Sequence, residues 1–300
     1  MKRYRLIRRE EITLEPALPE HSEGLTRAVL IGGDTGATHT GLTLVELEDG
    51  HVDTHLHSFE SSFYVFSGEP VLYVDGRGVR LDPHACGAIP VGVPHAWRSD
   101  RPARWIEMAS PRPRGQDQPP DTFFLGDAPD GPPERLDLRD PRNRHFFHLA
   151  AEDMDVERLR EGSRVAAPTV SASMATAALL YSGITVKMLV DKRLDAELHT
   201  MFMVAYKPGA VAHPHDHPFE EAYVMLEGEV DVVADDDRYT LHAGDVFWTG
   251  VGCIHAFYEM RGGTVKWLET SAPGPPDRHS YRFERDWDYL AQKLGDGATP

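Results

Sequence analysis

The sequence predicts an all-β protein of two domains, and three observations carry that prediction. Short apolar runs close on glycine or Asp-Gly turns, as at 40–50 and 70–76, the grammar of strands joined by hairpins. Helix signals are confined to two stretches, 152–162 and 283–295. The third observation is an internal repeat. His55, His57, Phe59, Glu60, Gly68, Glu69, Asp75, Leu81, Val91, Gly92, His95 and Ala96 recur as His215, His217, Phe219, Glu220, Gly228, Glu229, Asp235, Leu241, Val251, Gly252, His255 and Ala256. These are 12 identities in 42 gapless positions, all displaced by 160, so the chain is read as an internal duplication.

The elements follow in order. Residues 1–27 form a charged, proline-containing leader expected to pack along the first domain. Strands then fill 28–112, the first domain. Residues 113–178 form a breaker-rich linker expected to wrap the domains, with one helix at 152–162, acidic early, basic late and closed by Gly162. His145 and His148 within it are assigned to packing or surface. The second domain occupies 179–272. A tail at 273–300 carries the C-terminal helix, stopped by Gly295.

The stretch 209–228 concentrates the chemistry. In an extended strand positions i and i+2 face one side, so His215 and His217 point together, and Glu221 shares their parity. His255 supplies a fourth donor from the segment 244–255. Three imidazoles and a carboxylate suit one divalent transition metal, with Mn, Fe, Ni, Co, Cu and Zn all admissible. Parity with these ligands assigns Met203, Met225 and Phe257 to a substrate pocket. Tyr223 is the candidate general acid or substrate hydrogen-bond donor. In the first copy Ser61 stands where Glu221 stands in the second. His55, His57 and His95 are therefore either a second, carboxylate-free metal site or the polar lining of a site that has lost its metal.

The spacing Gly-x5-His-x-His-x3-Glu-x6-Gly, then Gly-x7-Gly-x2-His, resembles the two motifs of the cupin superfamily. That resemblance implies a small antiparallel β-barrel or jelly roll for each domain, hence a bicupin, with the four named side chains of the second copy as metal ligands. Gly250 and Glu259 depart from the second motif at positions that bind no metal. The layout resembles ureidoglycine aminohydrolase, whose expected ligand set of Glu, His, His and Gln differs from the set present here. Three His and one Glu are closer to quercetinase-type dioxygenases, acireductone dioxygenase and the manganese-dependent oxalate enzymes.

These readings give a metal-dependent enzyme acting on a small oxygenated organic molecule, with dioxygenase or lyase chemistry, an oxidoreductase, at the second barrel. A hydrolase of the aminohydrolase type and a non-catalytic small-molecule-binding protein are the alternatives. Composition narrows the partners. With 31 basic against 48 acidic residues the net charge is −17, which argues against nucleic acid and anionic membranes. No apolar stretch reaches the about 18 residues of a membrane span, and no apolar segment follows the charged start as in a signal peptide, so a cytoplasmic location is expected. Cys86 and Cys253 form no disulfide framework, in keeping with a reducing compartment. Assembly into a homo-oligomer is left open.

Overall fold

The computed structural model describes residues 2–114, 121–154, 181–274 and 282–283. Strand-forming runs pair into two sheets, one for each copy of the repeat, antiparallel but for the short pair of Glu134–Arg135 with Arg77–Arg80. In the first, the long strand Gly41–His57 pairs with Ser22–Ile31, His95–Ser99 and Ala103–Ser110. Glu60–Ser67 joins Ala103–Ser110 to Ala85–Ile89. In the second, Thr200–Asp216 lies between Tyr181–Val190 and His255–Ala272, and Glu220–Ala234 continues from there to Val246–Thr249. The hairpin between Val71–Val74 and Arg77–Arg80 turns on Asp75 and Gly76 with φ of 52° and 73°, the two left-handed residues that a two-residue turn requires.

Both long strands are bulged, and this changes which residues face inward. In Thr200–Asp216 the register shifts between Tyr206 and Ala212, and again before His215. A bulge inserts a residue and breaks the period of two. Phe202, Val204 and Tyr206 accordingly pack inside the second barrel. Met203, assigned by parity to the pocket, sits instead in the hydrophobic core between the barrels. There it joins Leu42, Ile106 and Met108 of the first copy with Val190, Met201 and Leu268 of the second. Each such side chain contributes about 1.5–3 kcal/mol by leaving water, so this shared core makes the two barrels one packed body.

The segments outside the barrels are exchanged between them. Tyr4–Ile7 precedes the first barrel in sequence yet pairs with Val246–Thr249 of the second. Phe146–His148 precedes the second barrel and pairs with Ala85–Ile89 of the first. A matching turn follows each arm: Glu11 Oε2 accepts from the Arg8 N–H at 2.9 Å, and Asp153 Oδ2 from the Ala150 N–H at 3.0 Å. The duplicated unit is thus an arm plus a barrel. The turns repeat at a displacement of 142 and the arm strands, by their pairing, at 140, both of which an ungapped comparison at 160 passes over.

Several boundaries consequently differ from expectation. The boundary at residue 28 falls within Ser22–Ile31, and the leader divides between the two sheets. Within 113–178, Thr122–Gly126, Glu134–Arg135 and Phe146–His148 all add to the first sheet. His145 Nδ1 meets the Leu194 carbonyl at 3.1 Å, a contact between barrels. Of the helix expected at 152–162, residues up to Met154 form a 3-10 turn and the rest lies outside the described residues. Phe283, where the C-terminal helix was to begin, pairs as a strand with His215, because the free edge of Thr200–Asp216 offers its backbone groups there. The remainder of that helix also lies outside the described residues. Among the described residues no helix is long and apolar enough to cross a membrane.

Candidate metal centres and the first-barrel cavity

Each barrel gathers three imidazoles. Donor nitrogens of His55, His57 and His95 all lie within 4.8 Å of one another, as do those of His215, His217 and His255. The strand pairs explain the convergence. His55 lies opposite His95, and His215 opposite His255, so two neighbouring strands bring their histidines face to face.

The protonation state of the first set is fixed by its surroundings. His55 Nδ1 lies 2.6 Å from the Asp53 carbonyl and His95 Nδ1 3.0 Å from the Val93 carbonyl. A carbonyl only accepts, so each Nδ1 carries the proton and each Nε2 is left with a lone pair. His57 Nδ1 is held at 3.0 Å by Thr122 Oγ1. Burial, followed by the neighbouring imidazoles, pushes the pKa of His55 and His57 well below the ordinary histidine value, and burial takes His95 down to about 4. Neutral rings whose outer nitrogens are held, two by carbonyls and that of His57 by a hydroxyl, are what a divalent metal needs from histidine, so the residues fit such an ion.

In the second set His215 and His255 are oriented in the same way, by the carbonyls of His213 at 2.6 Å and Cys253 at 3.0 Å. Glu221 stands beside this triad, its Oε2 being 2.8 Å from His217 Nε2 and 3.5 Å from His255 Nε2. Burial works to raise the Glu221 pKa, but His217 and His255 outweigh it and hold the carboxylate well below its usual range. Tyr223 donates to Glu221 Oε2 at 2.5 Å and lies 3.0 Å from His255 Nε2; burial and the Glu221 charge push its phenol well above the ordinary value. Tyr223, Met225 and Phe257 are all within 2% of full burial, in one cluster with Trp267. Tyr223 thus serves the polar network of the triad. Cys253 is buried and its thiol pushed up to about 12, an unreactive group.

A cavity adjoins the triad of the first barrel. A space of about 210 Å³ opens on His55 and His57, walled by Leu25, Val45, Trp97 and Trp105 and carrying the polar groups Arg27, Thr43, Ser61 and Glu107. Side chains at equivalent positions are smaller in the first copy. Ser61 replaces Glu221 in the repeat. Thr43 lies opposite Glu107, as Phe202 lies opposite Glu269, so a threonine stands where the second barrel has a phenyl ring. The carboxylate-free copy thus has room for a small ligand beside its triad.

Sequence reasoning missed Arg27 and Glu107. Arg27 Nη2 lies 3.8 Å from Glu107 Oε2, and Trp105 Nε1 donates to Glu107 Oε1 at 2.8 Å. The signal was a second stretch of the repeat, Trp105-Ile-Glu107 against Trp267-Leu-Glu269, displaced by 162 and so outside the gapless window. Trp267 Nε1 donates to Glu269 Oε2, also at 2.8 Å. Burial and the Glu221 charge push the Glu269 carboxyl well above its usual value, whereas Glu107 has Arg27 across from it.

A pH effect follows for protein stripped of metal. The unfolded chain takes up a proton at His95 near pH 6.5, the folded chain only near pH 4, so the folded state binds fewer protons over that window. Stability is full above about pH 6.5 and falls by about 3 kcal/mol on acidification to pH 4 from this group alone. Urea midpoints across that range, compared with those of His95→Gln, would reveal the loss and its removal.

Comparison with known proteins bears on this arrangement. The Cupin domain model matches residues 43–109 and again 202–271. No curated protein matches the chain. Among solved structures, salicylate 1,2-dioxygenase from Pseudoaminobacter salicylatoxidans, with gentisate adducts, superposes with a TM-score of 0.69 at 12% identity, over 98% of this chain and 83% of that one. A variant of oxalate decarboxylase from Bacillus subtilis gives 0.62 at 13% identity, over 97% and 83%. A cupin 2 conserved barrel domain protein from Leptotrichia buccalis gives 0.52 at 13% identity, over 89% and 96%. With one cupin domain in each half and this likeness to two-barrel structures along nearly its whole length, the chain belongs to the cupin superfamily as a bicupin.

Proposed function

We propose that the chain is a metal-dependent enzyme acting on a small, oxygenated organic anion, with dioxygenase-type chemistry in the cavity of the first barrel. The observation that carries this reading is a cavity that holds two imidazoles of the first triad, His55 and His57, together with one guanidinium, Arg27. His55, His57 and His95 would hold a divalent metal. When bound, a redox-active ion with three protein ligands supplies open positions for substrate and dioxygen together. Arg27 binds the anionic group of the substrate, and Glu107, fixed by the Trp105 N–H, accepts a hydrogen bond from its hydroxyl. Trp97 and Trp105 keep water from the remaining faces. The likeness in fold to an enzyme with gentisate adducts and to oxalate decarboxylase supports small carboxylates as the first compounds to try.

The test is oxygen uptake by Fe2+- or Mn2+-loaded protein with gentisate, salicylate, oxalate and enolic keto acids. Arg27→Met should raise KM by about 10- to 100-fold, the usual worth of a hydrogen bond to a charged group, with a smaller effect on kcat. Purified protein holding only zinc at full occupancy and consuming no oxygen would sink the reading. Glu221 favours a second reading, turnover at the second triad, since it gives that triad the fuller ligand set.

A further inference from the structure

Two buried carboxylates cross from one barrel to the other, and neither is a candidate metal ligand. Glu220, 3% exposed, extends from the second barrel to accept from the backbone N–H groups of Thr38 at 2.8 Å, His39 at 3.1 Å and Thr40 at 3.0 Å. Its counterpart Glu60, also 3% exposed, extends from the first barrel to the N–H groups of Glu197 at 2.8 Å and Leu198 at 2.9 Å. His199 completes the second clamp, with Nδ1 2.9 Å from Glu60 and Nε2 2.8 Å from Ser62 Oγ. The two glutamates are one pair of the repeat, displaced by 160. Each directly follows the histidine pair of its own barrel and holds the loop that leads into the histidine-bearing strand of the other.

The two clamped loops differ in what they adjoin. The loop held by Glu220 runs into Gly41, and Gly32, Gly33 and Gly41 line the first-barrel cavity together with Arg112. Arg112 Nε donates to the Ala37 carbonyl at 2.7 Å, and a Cβ on Gly41 would come within 2.7 Å of Pro113. The rim is therefore glycine-rich, tightly packed and secured from outside its own barrel. Three N–H groups converging on one buried carboxylate form a charge-assisted set that no neutral side chain reproduces.

We infer that Glu220 is a positioning residue for the first-barrel cavity: the second barrel, through this one side chain, sets the rim of the chamber in the first, and Glu60 does the converse for the lead-in to His215 and His217. The clamp stands independently of whether the first barrel turns over a substrate.

Amide hydrogen exchange on the full chain tests it. Glu220→Gln keeps the shape and removes the charge. It should speed exchange at Thr38, His39 and Thr40 by about tenfold or more, as expected for loss of charge-assisted bonds, while leaving 197–198 unchanged. Glu60→Gln should do the mirror image. With Co2+ bound in a His217→Ala background, Glu220→Gln should shift the ligand-field spectrum of the first triad, and Glu60→Gln should leave it unmoved. Exchange that rises equally in both barrels, or only around residue 220, or not at all, overturns the inference. Failure of Co2+ to bind at the first triad would count against the proposed function, and exchange at 38–40 would still decide the clamp. Should Glu220→Gln not fold, Glu220→Asp keeps the charge one methylene short and should give the same one-sided pattern, weaker.

Discussion

His57→Ala is expected to remove one metal equivalent per chain and to abolish turnover, while His217→Ala removes a different equivalent and leaves turnover in place. The reasoning is geometric. His57 lines the cavity and belongs to the triad whose donor nitrogens lie within 4.8 Å of one another. Loss of an outer partner alone costs a metal site about 10- to 100-fold in affinity, and loss of a ligand costs more. Elemental analysis of protein purified without chelator, combined with oxygen uptake, reads both effects. The reverse outcome, with activity tied to His217, would assign the chemistry to the triad that contains Glu221.

Trp105→Ala is expected to cost about 3–5 kcal/mol, a large share of the about 5–15 kcal/mol that holds a domain folded. Trp105 is 0% exposed and stacks on Trp97 at 4.7 Å between ring centroids, so truncation empties the centre of the first barrel. Trp105→Phe keeps most of that burial and removes the N–H to the Glu107 carboxylate, at a cost of about 1.5–3 kcal/mol. Urea unfolding separates the two: a large fall in midpoint for the alanine variant and a smaller one for the phenylalanine variant. A phenylalanine variant as damaged as the alanine one would mean that the hydrogen bond, not the packing, carries the stability.

Much of this was legible in the residues. The duplication, the two histidine triads and the turn at Asp75-Gly76 follow from identities at fixed displacement and from the side-chain period of two. Met203 was misplaced because that period holds only in an unbulged strand, and Pro208, Gly209 at φ 78° and Pro214, residues that mark bulges, all fall between Tyr206 and His215, where the register slips. The cavity of the first barrel was not legible for a different reason. A ligand count ranks the copies by coordinating power, whereas space depends on Ser61, Thr43 and their counterparts Glu221 and Phe202, which meet only after the strands pair. Arg27 lies on a strand outside the 42 aligned positions, so no comparison of the copies could reach it.

The exchanged arms carry a consequence for any attempt to study one barrel by itself. A chain divided after its first barrel places Tyr4–Ile7 on one piece and the strand edge that it covers, Val246–Thr249, on the other. Phe146–His148 ends up separated from either Ala85–Ile89 or the barrel it precedes, according to the side of the cut. With the cut before Phe146, each piece presents an unpaired strand edge and a stray strand that fits its complement, so the halves are built to recombine rather than to live apart.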